Sequence, residues 1–201
     1  EKYDKYHTII KELYWREFYA YLTYFNPRLL RGENYKRDIK VVWTKPEKNF
    51  EKWCNGETGF PIVDAGMKQL NSIGWMHNRV RMIVASFLVK HLHIDWRYGE
   101  RYFATKLIDY DPCSNNGGWQ WCASTGADAQ PYFRIFNPWT QTKKIDKDCL
   151  YIKTWLPELK SITNEKIHKW DKVSKTESFY IHPIVDHTVA VKYTKEVLFK
   201  K

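Results

Sequence analysis

Asn115 to Trp121 reads NNGGWQW, a run dense in groups that could meet a ligand: two amides, backbone bared by two glycines, and two indoles flanking a glutamine. Each glycine weakens a helix by about 1 kcal/mol relative to alanine, so a helix here needs support beyond propensity, such as close approach of a bulky ligand. If the run is helical, Trp119 and Trp121 project to nearly opposite sides. One indole could then face a cofactor while the other faces a cleft. The same pair would equally serve as core aromatics in a Trp-rich chain.

Other polar residues sit at spacings that share helix faces. Glu12 and Trp15 are three apart, and Asn78 and Met82 four apart, with Arg79 alongside and Arg81 rotated off that face. A carboxylate, an amide, a guanidinium and an indole converging on one cleft would recognise a heterocycle with carbonyl and N–H edges. Ordinary helix-surface polars have the same spacing, so spacing alone leaves the chemistry open.

The elements that must carry these residues are helical. Residues 4 to 24 hold Ile9, Ile10, Leu13, Phe18 and Leu22 near helical spacing, and NPRLLRGENY breaks the pattern. PEKNFEKWCNG predicts a short helix with Pro46 near its start and Gly56 just past its end, and FPIVDAGMKQLNSIG repeats that punctuation with Pro61 and Gly74. Two helices follow, MHNRVRMIVASFLVKHL and DWRYGERYFATKLID, joined closely enough to pack side by side. Beyond Asn137, TWLPEL and DHTVAVKYTKEVLF stand between polar loops. No strand alternation, repeat period or domain boundary is visible, so the fold class predicted is all-α in one domain spanning residues 1–201.

The composition narrows the partners. With 33 Lys+Arg against 23 Asp+Glu the formal charge is +10, which favours a polyanion, although many lysines of the C-terminal third read as solvated surface. Ten Trp and 14 Tyr beside those cations suit stacking on bases or on a flavin. Cys54, Cys113, Cys122 and Cys149 form no CxxC pair and read as reduced thiols. His91 and His93 diverge on a helix and have no suitably spaced partner, so they read as solvated or helix-end residues and no metal site is predicted. No apolar run is long enough to span a bilayer, and the reading is a soluble, intracellular protein. The chain opens on Glu1, so it need not be a whole protein.

The segments ELYWREFY, GETGFPIVDAGMKQLNSIGWMHNRVRMIVASFLVKHLHIDWRYGERYF, DYDPCSNNGGWQWCASTGADAQPYFRIFNP and WLPEL, taken in order, closely resemble the C-terminal FAD-binding domain of the photolyase/cryptochrome family. The resemblance runs from ELYW to PIVDH. WMHNRVRM is most similar to the class I cyclobutane pyrimidine dimer photolyases; (6-4) photolyases and animal cryptochromes carry a histidine-rich segment there, and plant cryptochromes usually an aspartate at the position of Asn115.

The resemblance implies an all-α FAD-binding domain and a light-driven repair in which excited, reduced FAD donates an electron to a dimer in DNA. By the same resemblance, Asn115 stands beside the flavin, Asp109, Tyr110 and Asp111 near the ring and ribityl chain, and Arg81 pairs with Asp109. Trp119, Trp96 and Trp43 match a chain of electron carriers. Glu12, Trp15, Arg16, Asn78, Arg79, Met82 and Trp121 match the cavity for the flipped dimer, and Arg134 and Gln141 match DNA contacts. It further implies that the N-terminal α/β antenna domain and the Thr/Ser-rich clamp for the FAD phosphates are missing, so that a complementary chain supplies the clamp, or FAD binds weakly, or FAD does not bind at all. A cryptochrome-like photoreceptor and a truncated remnant that binds DNA through charge alone are the alternatives.

Overall fold

A computed structural model of the chain describes residues 7–46 and 48–199. Eleven α-helices are seen among them, and the extended pairing is a single bridge, Thr44 with Ile94. The first six are α1 (His7–Phe25), α2 (Lys48–Asn55), α3 (Pro61–Ile73), α4 (Asn78–Lys90), α5 (Trp96–Lys106) and α6 (Pro112–Ala123). Five shorter ones follow: α7 (Pro138–Ile145), α8 (Leu150–Trp155), α9 (Asn164–His168), α10 (Trp170–Val173) and α11 (His187–Tyr193). The expected start of the first helix at residues 4 to 6 lies outside the described residues.

Local signals account for most of the boundaries. Pro61 opens α3 and Gly74 closes it in the left-handed region, at φ 67°, with its N–H on the Leu70 carbonyl. Asp95 caps α5 by accepting the Arg97 N–H at 3.0 Å, and Asp111 caps α6 by accepting that of Ser114 at 2.6 Å. Helix α7 was not legible in the sequence. It is set by Asn137, whose side chain accepts the Trp139 and Thr140 N–H groups, ahead of Pro138.

The core sits on α3 and α4, which are buried over most of their length and pack on one another. On one side α3 meets α2, α7 and α8; on the other, α4 meets α5 and α6. Trp53, Trp96 and Trp170 are wholly buried there. His91, expected at a helix end, is at the end of α4 but is not solvated: it stacks on Phe87 and shares a 2.8 Å hydrogen bond with His187 of α11.

Helix α1 differs from the rest. Of its nineteen residues Thr23 is the one buried, and it packs chiefly on α6 and on the 3-10 turn Pro27–Arg31. Ile9, Leu13, Tyr14, Tyr21, Tyr24 and Phe25 stand exposed. An apolar stripe of this extent on a helix marks an interaction face, not a solvated one.

Candidate functional site

The site is organised by α6, and tertiary contacts replace the helix propensity that Gly117 and Gly118 forfeit. Asn116 and Gln120, four apart and buried, tie α6 to the chain after α1. Asn116 Nδ2 donates to the Leu29 carbonyl at 3.1 Å and Gln120 Nε2 to Asn116 Oδ1 at 2.8 Å, while Gln120 Oε1 accepts the Tyr35 N–H at 2.9 Å. Gly117 is required by α1, because a Cβ there would collide with the ring of Tyr19. Gly118 is different: nothing lies within 4 Å of where its Cβ would be. The open space it faces is a pair of adjoining cavities.

The first cavity, about 310 Å³, has an apolar wall of Ala85, Phe103, Leu107 and Trp119 and a polar wall of Arg81, Asp109, Asp111 and Asn115. Arg81 Nη2 donates to both oxygens of Asp109, at 2.8 and 3.0 Å, and its Nε to the Met76 carbonyl at 2.6 Å, so the guanidinium is fixed from two sides. Asn115 Nδ2 donates to the carbonyl and the carboxylate of Glu100, at 3.1 and 3.2 Å. Burial pushes the Glu100 carboxyl up, an effect the Asn115 hydrogen bond opposes.

The second cavity, about 350 Å³, lies between α1 and α6. Glu12, Trp15, Arg16 and Tyr19 face Trp121 across it. Tyr19 stacks on Trp15 with ring centroids 6.1 Å apart, and burial pushes its hydroxyl up to about 12, so it is a neutral donor at physiological pH. Asn78, Met82, Ser114 and Gly118 line both cavities. Whatever occupies one is therefore in reach of whatever occupies the other.

Trp119 is 2 % exposed and packs on Phe103 and Trp53, with centroids 5.0 and 6.1 Å away. Its indole lies on Gly99 of α5, where any Cβ would collide with it, one turn from the buried Trp96. Trp43 is half-buried against the core. Its neighbour Thr44 donates its N–H to the His93 carbonyl at 2.9 Å, which brings Trp43 alongside the entry to α5.

Other predicted residues stand apart from both cavities. Tyr110 lies between two lining aspartates but does not line the cavity itself and is exposed. Arg79 is exposed in the first turn of α4, its N–H capped by His77 Nδ1 at 3.1 Å. Arg134 is exposed on the loop after α6, and Gln141 is half-buried on α7. Ser114, Tyr19 and Glu100 were missed, and Gly118 was read together with Gly117 without their separate roles. Ser114 and Gly118 are four apart on one face of α6 and were accessible to spacing arguments; Glu100 reaches Asn115 from another helix and left no local signal.

Residues 9–199 match the family described as the FAD binding domain of DNA photolyase. The chain belongs to that family. Among similar proteins, the deoxyribodipyrimidine photo-lyase of Vibrio cholerae is 52 % identical over 180 residues, covering 89 % of this chain and 38 % of the relative. That of Escherichia coli is 51 % identical over 185 residues, covering 90 % and 39 %. The crystal structure of a class III photolyase from Agrobacterium tumefaciens superposes with a TM-score of 0.86 at 47 % identity, covering 94 % of this chain and 41 % of that one. A cryptochrome from Synechocystis superposes with a TM-score of 0.87 at 39 % identity, covering 95 % and 41 %. The photolyase-domain fold is thus shared by a photolyase and a cryptochrome, and the fold alone does not distinguish them. The chain spans about two fifths of the length of the curated relatives it matches. Among the described residues no group of three or more His, Cys, Asp or Glu is placed to hold a metal ion, and no helix is long and apolar enough to cross a membrane.

Proposed function

We propose that the chain is the flavin-and-lesion half of a photolyase, repairing cyclobutane pyrimidine dimers in DNA with light. The observation that carries this reading is the junction of the two cavities over Asn78, Met82, Ser114 and Gly118. The first cavity suits the flavin ring: Phe103, Leu107 and Trp119 offer faces, while Arg81, Asp109 and Asn115 offer donors and acceptors for its polar edges. Bound and fully reduced, FAD supplies a light-absorbing one-electron donor. Trp119, with Trp96 and Trp43 behind it, would serve as the relay through which an external reductant keeps the bound flavin reduced.

The second cavity suits a dimer turned out of the duplex. A damaged step costs less to unstack than a healthy one, and Trp15 and Trp121 then stack on its rings while Glu12 and Asn78 bond its polar edges. The excess of ten positive charges holds the phosphates, so affinity should fall steeply with salt.

Two observations favour further photolyase segments as partner, in the same or a complementary chain. Arg81 is the sole cation among the residues lining the first cavity, and it is committed to Asp109 beside Asp111, so that wall repels a pyrophosphate. The apolar stripe of α1 is a face prepared for burial. The segments that cover it would bring the phosphate clamp.

The likeness to a cryptochrome supports a second reading, photoreception without repair. The test is the visible spectrum of the purified chain with added FAD, followed by illumination with a dimer-containing oligonucleotide. A flavin band that survives gel filtration, together with loss of dimers in light alone, is the expected result. A flavin band without repair favours photoreception, and a colourless protein places the cofactor site outside this chain.

A further inference from the structure

Lys90 ends α4 with 1 % of its surface exposed, among the largest fully buried side chains. No carboxylate bonds it among the described residues. Its Nζ donates instead to the carbonyl of Arg134 at 3.1 Å and, more weakly, to that of Pro131 at 3.5 Å. Burial lowers its pKa to about 8, partly opposed by Cys122 on α6. That thiol is itself pushed up to about 12 by burial, and the adjacent His91 is pushed down to about 3, so both are neutral near pH 7. A buried ammonium that meets carbonyls alone is a costly core residue, and a methionine would fill the same space without that cost.

What Lys90 holds is an exposed turn with few other hydrogen bonds among the described residues. The Arg134 N–H closes the turn on the Pro131 carbonyl at 2.9 Å, and the Gln130 N–H reaches the Trp121 carbonyl at 3.2 Å. Between these ties Tyr132, Phe133 and Arg134 are exposed. Tyr132 has a stacking partner in Phe199, with centroids 5.7 Å apart. The turn therefore leaves α6 beside Trp121, which lines the second cavity.

We propose that Lys90 is a positioning residue for DNA: its ammonium fixes the Pro131–Arg134 turn so that Arg134 meets the strand that flanks the lesion. The inference rests on the DNA reading above, but its anchoring part can be measured without DNA. Cleavage of the native chain by trypsin at Arg134 and by chymotrypsin at Tyr132 and Phe133 reports opening of the turn, normalised at each pH to a free peptide of the same sequence. The wild-type turn should be protected at pH 7 and lose protection as the pH rises past Lys90's value, because the neutral amine is a weaker donor. Lys90→Met should cleave about ten-fold faster at pH 7, as losing a hydrogen bond to a charged group predicts. Its normalised rate should then stay flat with pH, and its melting temperature should match or exceed that of wild type.

Affinity for a duplex carrying one thymine dimer should fall by about the same factor in Lys90→Met, and less than additively when combined with Arg134→Ala. Equal normalised cleavage in the two proteins, or wild-type protection that does not change between pH 7 and 9, would overturn the proposal; the second outcome requires no variant to fold. Equal DNA affinity beside altered cleavage would overturn its functional half. A wild-type chain with no preference for the damaged duplex would instead overturn the DNA reading itself.

Discussion

Two neighbouring glycines in α6 give opposite predictions from one geometry. At Gly118 an added methyl meets nothing within 4 Å, so Gly118→Ala gains helix propensity without a steric charge. The gain is about 0.5–1 kcal/mol, or a rise in Tm of about 1–4 °C for a domain of this size. At Gly117 the same methyl collides with the Tyr19 ring, and α1 or the ring has to move. Overpacking costs about 1–3 kcal/mol, and because both substitutions gain the same propensity, that cost is also the expected difference in stability between the two variants. Urea denaturation of both variants followed by far-ultraviolet circular dichroism measures the difference directly. Gly118→Ala should also weaken flavin and dimer binding, since its methyl enters the junction of the cavities, and so trade function for stability. Variants of equal stability would refute the packing of Tyr19 on Gly117, and a destabilised Gly118→Ala would refute the open junction.

Trp119→Phe should slow photoreduction of bound FAD yet leave repair by chemically reduced protein intact; transient absorption and a repair assay on one preparation decide it, and joint loss contradicts separate roles. Glu12→Ala should lower affinity for a dimer-containing duplex about ten-fold or more, as removal of a charged hydrogen-bonding partner does, with flavin content unchanged. Flavin loss in that variant would move Glu12 to the other cavity. His91 is pushed from 6.5 down to about 3 by burial and by the neighbouring His187, His93 and Lys90. Between those values the unfolded chain binds a proton that the folded one does not, so stability should fall as pH drops below 6.5, by up to about 1.4 kcal/mol per unit. His91→Phe should flatten its share of that slope in denaturant titrations across pH 4–7; the residual slope combines His93 and His187, whose pKa values burial also lowers, with Asp64 and Glu100, whose carboxyls burial raises and which act in the opposite sense. Equal slopes would mean His91 is charged in the folded protein.

The helices α2 to α5 were legible in the sequence because their signals are local, whereas the glycines of NNGGWQW left a helix at α6 open. A proline in the first turn, a glycine beyond the last and an aspartate cap each act within a few residues, and Pro61, Gly74, Asp95 and Asp111 do so here. The ordered motifs around NNGGWQW likewise carried the family from sequence alone. The division of labour within that run was not legible. Spacing could say that Trp119 and Trp121 diverge, and they do line different cavities. It could not say that Asn116 and Gln120 serve the fold, that Gly117 serves Tyr19, or that Gly118 is left open for ligands, because each role is set by a partner from a distant segment.

The same limit applies to α1, whose apolar spacing predicted a helix and whose apolar stripe stands exposed. Periodicity fixes which side chains share a face; whether that face is covered depends on what packs against it. His91 read in sequence as a solvated or helix-end residue and Lys90 carried no signal, and only the packing of α4 against α6, α11 and the Pro131–Arg134 turn makes them a buried neutral ring and a buried ammonium. Burial and charge state depend on contacts between residues far apart in the chain, and those contacts exist only once the chain has folded.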